Sequence, residues 1–305
     1  MRLVFFGTPE FAVPALDALA RSHDVLLAVA QPDKPAGRGM KMQAPAVAVR
    51  ARELGIPLVQ PPKIRTPEFL DSLRALAPDL GIVIAYGKIL PAALLEIPNH
   101  GFVNVHASVL PAWRGAAPIQ RAIEAGDATT GVTIMRVDEE LDHGAMLRIA
   151  TTPIDRDERT PALSKRLSQL GAEALLPVLD ELANGTAVDT PQDHARATHA
   201  AKIEKQEGEV RFDEPARVIY DRFRAFDPWP GIYVVSHGEM LKLTDIRPAD
   251  GDGAARSVLA IDDGVTIACG DGAIRVVEMQ RPGKPRTPAA AVARGLGWRI
   301  GERIP

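Results

Sequence analysis

The sequence predicts an α/β domain built on a parallel sheet, followed by a smaller domain of antiparallel strands curled into a barrel. Three observations carry this. Short apolar runs alternate with amphipathic segments as far as Ala125, the pattern of strands buried on both faces by intervening helices. A long leucine-striped stretch, Pro161–Ala183, is then followed by polar, irregular sequence over Asp189–Lys205. Beyond it come short strand-like runs punctuated by Gly and Asp, as in a small β-barrel. We therefore expect domains at 1–188 and 206–305 joined by a linker over 189–205.

Each element has its local reason. Leu3–Phe6 reads as a buried strand, and Gly7-Thr8-Pro9 as a turn into a helix that Thr8 caps, with Pro9 in its first turn and Glu10 beside its dipole. Phe11, Leu16 and Leu19 then recur along a buried side. Further strands are expected at Val25–Ala30, Leu80–Ala85, Phe102–His106 and Ala145–Thr151, and helices at Ala44–Leu54, Pro67–Leu76 and Pro118–Ala125. Leu163, Leu167, Leu170, Leu175, Leu176 and Leu179 give the long helix its core stripe, and Asn184-Gly185-Thr186 ends it. In the second domain, Asp213-Glu214-Pro215 opens a helix ending near Phe226, and strands follow at Tyr233–Val235, Met240–Ile246, Val258–Ile261, Val265–Ala268 and Ile274–Met279.

Composition narrows the function. A chain of 305 residues with 46% hydrophobic content is long enough for two cores. Its single cysteine, Cys269, excludes an internal disulfide and any multi-cysteine metal site, and no metal is expected. No apolar run reaches the ~20 residues that span a bilayer, and the short one at the amino terminus is too brief for a signal peptide. A cytoplasmic enzyme is the expectation. The formal net charge of −3 argues against indiscriminate nucleic-acid binding but leaves room for a local basic surface. Gly7-Thr8-Pro9-Glu10-Phe11 stands where a dinucleotide-binding loop would begin, yet it lacks G-x-G-x-x-G and Glu10 would repel phosphate. A nicotinamide dehydrogenase is therefore disfavoured.

The chemistry concentrates at Asn104-Val105-His106-Ala107-Ser108-Val109-Leu110-Pro111-Ala112-Trp113-Arg114-Gly115, with Leu141-Asp142-His143-Gly144 downstream. Positions i and i+2 of a strand share a face, so Asn104 and His106 should point together into one cleft at a strand's carboxyl end, where ligands of such sheets bind. Asp142 is placed to hold the imidazole in one tautomer and raise its basicity. Amide, imidazole and carboxylate together suit acyl transfer, with His106 as either general base or second oxyanion donor.

These residues resemble the signature of the folate-dependent formyltransferases, Asn-x-His-x-Ser-Leu-Leu-Pro with a later Asp. The match departs at Val109, where the family has Leu, and at His143, where Thr or Ala is usual; the three polar positions are kept. The resemblance implies a Rossmann-like catalytic domain and an oligonucleotide-binding (OB)-like barrel. It makes Asn104, His106 and Asp142 the catalytic set and 10-formyltetrahydrofolate the formyl donor. Ser108, Val109, Leu110 and Pro111 are then expected to line the folate site, with Tyr86 and Gly87 as further candidates and Phe11 as a wall of an amino-acid side-chain pocket.

Two basic features bear on the acceptor. Gln31–Met42 carries Pro, Gly, three cations (Lys34, Arg38, Lys41) and one acid, so an exposed, mobile loop is expected, with Arg38 and Lys41 facing the substrate. From Arg275 onward seven basic residues stand against Glu278 and Glu302, suggesting a surface for a polyanion. The loop Pro-Asp-Lys-Pro-Ala-Gly-Arg-Gly is similar to that of the family members that formylate methionyl initiator tRNA. The resemblance thus implies transfer of the formyl group to the methionine α-amino group for initiation of translation, by a monomer. An amino-sugar formyltransferase, a formyl-folate hydrolase and a non-catalytic RNA-binding protein each share part of the pattern.

Overall fold

A computed structural model describes residues 1–36, 39, 41–236 and 238–304. Strands β1–β7 are Arg2–Gly7, Asp24–Val29, Lys34–Ala36, Lys41–Gln43, Leu58–Val59, Leu80–Ile84 and Phe102–His106. β8–β11 are Arg114–Gly115, Thr129–Arg136, Met146–Pro153 and His199–Ala200; β12–β17 are Ile232–Ser236, Glu239–Ala249, Val258–Ile261, Val265–Ala268, Ala273–Gln280 and Arg286–Pro288. Helices α1–α8 are Val13–Ser22, Ala46–Glu53, Pro67–Ala75, Ala92–Leu95, Pro118–Glu124, Thr160–Ala183, Ala216–Ala225 and Ala289–Gly295.

The chain divides into two compact units. The first comprises Met1–Pro118, Thr129–Pro153 and Ser164–Ala200; the second comprises Ile119–Ala128, Ile154–Leu163 and Ala201–Pro305. In the first unit seven strands run in the order β10-β9-β7-β6-β1-β2-β5. β7, β6, β1, β2 and β5 are parallel, while β9 and β10 run antiparallel along one edge. The expected parallel sheet is therefore mostly, not wholly, parallel. β1 leads outward to β2 on one side and pairs with β6 on the other, the strand-order reversal beside which such sheets bind ligands.

Leu3, Val4, Phe5 and Phe6 are all fully buried, so both faces of β1 are covered, which is why their sequence shows no alternation. On one face Val4 and Phe6 join Leu27, Val29, Leu70, Leu73, Tyr86 and Phe102 in a common core. The Phe6 ring meets Tyr86 and Phe102 edge to face at 5.3 and 5.5 Å, contacts that add ~0.5–1.5 kcal/mol each beyond area burial. α3 begins as its sequence dictates: Thr66 accepts from the Phe69 backbone N–H, Pro67 opens the first turn and Glu68 complements the dipole.

One local expectation gives way. Pro9, not Thr8, precedes a short 3-10 turn over Glu10–Ala12, and no side chain caps it. Thr8 instead donates its hydroxyl to the Tyr86 carbonyl at 3.0 Å, tying the ends of neighbouring strands together. Within the basic loop β3 and β4 pair antiparallel, register Lys34 with Gln43, and Lys34, Lys41, Met42 and Gln43 are exposed as expected.

The second unit contains a sheet of order β12-β13-β16-β15-β14, antiparallel throughout, with β17 also paired to β16. Among the described residues the pairing is an open path with β12 and β14 at its ends. The basic tail is less free than its composition suggests: Arg281 grips Glu239 with two nitrogens, at 3.0 and 2.8 Å, and Arg275 pairs with Asp262 and Asp263. Lys284, Arg286, Arg294, Arg299 and Arg303 remain exposed. No described helix is long and apolar enough to cross a membrane.

Candidate active site

β7 ends at His106, between the parallel strand β6 and the antiparallel strand β9. Its residues Phe102, Val103 and Val105 are buried, and Asn104 is half-buried. Beyond His106 the chain turns through Ser108–Ala112 and includes a cis Leu110-Pro111 bond. The turn is held from within. Ser108 donates to the Ala112 carbonyl at 2.6 Å, and Thr133 of β9 donates to the Ser108 carbonyl while accepting from the Leu110 N–H. The Ser108 and Leu110 side chains are buried. Val109 and Pro111, half-buried, are the two of the four predicted folate-lining residues that retain surface.

Asn104, His106 and Asp142 converge. The Asn104 amide lies 3.5 Å from Asp142 Oδ1, His106 Nδ1 lies 3.6 Å from Asp142 Oδ2, and that same Oδ2 accepts the Gly115 N–H at 2.8 Å. His106 is 5% exposed, and the carboxylate it faces is half-buried, with partial access to solvent. Asp142 has φ +50°, a left-handed conformation that Asp tolerates better than most residues.

The tautomer is not set where the sequence suggests. His106 Nε2 lies 2.9 Å from the Trp113 carbonyl oxygen. A carbonyl only accepts, so Nε2 carries the hydrogen and, in the neutral ring, Nδ1 is the bare, basic nitrogen. At 3.6 Å the Asp142 carboxylate is within ion-pair range of Nδ1 but too far to be its hydrogen-bond acceptor. The carboxylate is thus placed to stabilise the ring once Nδ1 takes a proton. Trp113, rather than Asp142, orients the imidazole.

Two glycines are required by close approach. A Cβ on Gly115, which sits at φ +119°, would lie 2.7 Å from the Ala200 carbonyl, and one on Gly144 would collide with the Arg136 carbonyl. Both flank the contacts made by Asp142.

The segment expected to be a linker is partly built into this site. Gln192 is 5% exposed and donates Nε2 to the carbonyls of Asp142 and Gly144, at 3.0 and 2.8 Å. Its Oε1 accepts from Arg114 at 3.1 and 2.6 Å. Arg114 also donates to His194 Nδ1, and the His194 ring stacks on His143 at 4.1 Å, with His143 Nδ1 2.9 Å from Asp138. Further along, Thr198 accepts the Trp113 N–H, and β11 pairs with β8. Sequence reasoning missed Gln192 because a lone glutamine in a polar stretch carries no periodic signal.

The other expected residues fall differently. Tyr86 follows β6, but its ring is in the core, where burial pushes the phenol up to about 12. The ring is therefore no part of a cleft wall; what the strand end offers is the Tyr86 carbonyl, which accepts from Thr8 and Gln31, and the exposed Gly87 at φ +84°. Phe11 is half-buried after the end of β1, its carbonyl accepting from Ser168 at 2.6 Å. Lys41 is exposed on β4. Arg38 lies outside the described residues. Among the described residues no cluster of side chains suits a metal ion.

Comparison with known proteins agrees with this architecture. Residues 1–179 match the family model described as formyl transferase, and residues 202–297 match that of the formyl transferase C-terminal domain. A methionyl-tRNA formyltransferase of Thermus thermophilus is 45% identical over 305 residues, covering 100% of this chain and 99% of its own. One from Geotalea daltonii is 44% identical, covering 100% and 98%. Among solved structures, HypX from Aquifex aeolicus in complex with tetrahydrofolic acid superposes with a TM-score of 0.64 at 20% identity, over 97% of this chain and 47% of its own. At that identity the likeness is one of fold. With both of its parts matched and full-length relatives on either side, the chain belongs to the formyl transferase family and is a formyl-transferring enzyme.

Proposed function

We propose that this enzyme transfers the formyl group of 10-formyltetrahydrofolate to the α-amino group of methionine on initiator tRNA, with Asn104, His106 and Asp142 as its catalytic set. The reaction joins a nitrogen nucleophile to the formyl carbon, passes through a tetrahedral adduct and breaks the bond from that carbon to folate N10. The observation that carries the reading is the bare Nδ1 of a buried His106 beside a carboxylate and an amide donor. As the amine attacks, it loses a proton that Nδ1 accepts, and Asp142 balances the imidazolium. The Asn104 amide donates to the developing oxyanion, a contact of roughly 3–4 kcal/mol when preorganised. On collapse, the proton passes from the imidazolium to N10, so His106 returns neutral.

The acceptor is argued from the full-length relatives and from the basic hairpin. In this reading Lys41 and Arg38 meet the tRNA, Phe11 flanks the methionine side chain, and Val109, Pro111 and Gly87 line the folate path. The antiparallel sheet of the second unit acts as an OB-like barrel whose exposed cations, Lys284, Arg286, Arg294, Arg299 and Arg303, meet phosphate. We take the catalytic domain as 1–188 and the tRNA-binding domain as 206–305, and the enzyme as a cytoplasmic monomer. The test is competition. Purified protein is mixed with labelled formyl donor, methionyl initiator tRNA and an amino-sugar nucleotide, and the products are separated. Label on the tRNA-linked methionine supports the reading; label on the sugar, or released as free formate, overturns it.

A further inference from the structure

We propose that Gln192 is a positioning residue for the reaction, holding Asp142 in its left-handed conformation so that the carboxylate faces His106 Nδ1. Asp142 and Gly144 form a tight turn whose two carbonyls both point at one buried amide group. A carboxamide suits this place because it offers two hydrogens on one nitrogen and an acceptor on the other end. The hydrogens meet the two carbonyls, and the oxygen meets the Arg114 guanidinium. A glutamate there would keep the contact with Arg114 but present a second acceptor to two carbonyl oxygens. A methionine of similar length would fill the space and bond to nothing, leaving both carbonyls and the guanidinium short of partners.

The carboxylate depends on this arrangement. Its Oδ2 is fixed by the Gly115 N–H at 2.8 Å, and Gly115 follows Arg114, the residue that Gln192 anchors. Gln192 therefore grips both sides of the gap that Asp142 bridges: the turn carrying the carboxylate and the strand supplying its backbone donor. β11 and Thr198 also hold β8, but Gln192 is the side chain that joins β8 to the turn carrying Asp142 at φ +50°. Displacements of about 1 Å at a reacting group can cost roughly 100-fold in rate.

This inference rests on the proposed catalytic role of Asp142, and the experiment separates the two. Gln192→Met, Gln192→Glu, Asp142→Asn and the double variant Gln192→Met/Asp142→Asn are prepared in the full chain. Single-turnover and steady-state formylation of charged initiator tRNA are measured, with near-ultraviolet circular dichroism as the check on packing. We expect kcat to fall about 10- to 100-fold in Gln192→Met and in Gln192→Glu, with KM for both substrates changed less than about threefold. In the Asp142→Asn background the additional loss from Gln192→Met should shrink to less than about threefold, because the group being positioned is already gone. Equal fold-losses in the two backgrounds would show a general structural role and overturn the proposal. So would wild-type kcat in both Gln192 single variants. If Asp142→Asn itself keeps wild-type turnover, the catalytic reading of Asp142 fails, and this inference fails with it. Should Gln192→Met not fold, Gln192→Glu, which retains the Arg114 contact, decides the outcome by the same comparison in a Gln192→Glu/Asp142→Asn variant.

Discussion

Asp142→Asn isolates the charge of the carboxylate from its shape. The substitution is isosteric, and an amide oxygen at the Oδ2 position can still accept the Gly115 N–H, so the turn and its φ +50° backbone should persist. What disappears is a negative charge 3.6 Å from His106 Nδ1. At an effective dielectric of about 20, that separation corresponds to roughly 4–5 kcal/mol of attraction for the imidazolium that forms during transfer. Partial solvent access to the carboxylate reduces this. The expected loss is about 100- to 1000-fold in single-turnover formylation, with folate affinity within about threefold of wild type. Quenched-flow measurement of N-formylmethionine released from the tRNA reads the rate directly, and thermal melting checks the fold. A folded Asp142→Asn enzyme within about threefold of wild type would refute the electrostatic role assigned to the carboxylate.

Three further outcomes are expected. Asn104→Ala and His106→Ala should each lower turnover at least about 100-fold, and the double variant should lose far less than the product of the two, as measured by single-turnover kinetics. Arg38→Ala should impair formylation of charged tRNA while leaving folate binding, read by titration, and melting temperature nearly unchanged. Glu207, which receives a hydrogen bond from Arg121, has its carboxyl held below the ordinary 4.5. A depressed folded-state value stabilises the folded protein above the unfolded value and is lost as pH falls through the folded one. Glu207→Gln should therefore lower the melting temperature at pH 6, with the difference from wild type fading on acidification below about 4.5.

The parallel strands were legible because burial on both faces removes alternation: Leu3–Phe6 is apolar throughout, and Phe102–His106, which continues an apolar run into Asn104 and His106, coincides with the observed strand. Ala145–Thr151 was expected as a strand and overlaps β10, but the antiparallel direction of the edge pair β9–β10 was not legible, since the pairing direction of a strand leaves no trace in its own residues. The site was legible as a motif but not as a geometry. Period-two spacing places Asn104 and His106 on one face, whereas the hydrogen bond from Nε2 to the Trp113 carbonyl depends on how a turn closes seven residues later. Backbone carbonyls carry no sequence signature, so the sequence offers only the carboxylate as a partner to fix the tautomer. Gln192 was hidden for a related reason: it looks like solvated chain until the turn at Asp142 and Gly144 is folded against it. Likewise, Arg275 and Arg281 look like free cations until Asp262, Asp263 and Glu239 are brought beside them by strand pairing. The grouping of Ile119–Ala128 and Ile154–Leu163 with the later chain also has no local cue, because Ile123 and Leu163 read as core residues wherever they pack.

The position of the proton on the His106 ring decides whether Nδ1 can act as the base. Nitrogen-15 NMR of histidine-labelled protein, with the His106 signals assigned by their loss in His106→Gln, reports which ring nitrogen holds the proton in the neutral ring. We expect a neutral ring protonated at Nε2, with a bare Nδ1 whose signal shifts when substrate amine binds. A proton on Nδ1 with Nε2 bare would contradict it, because the nitrogen facing Asp142 would then have no lone pair with which to accept the proton of the attacking amine.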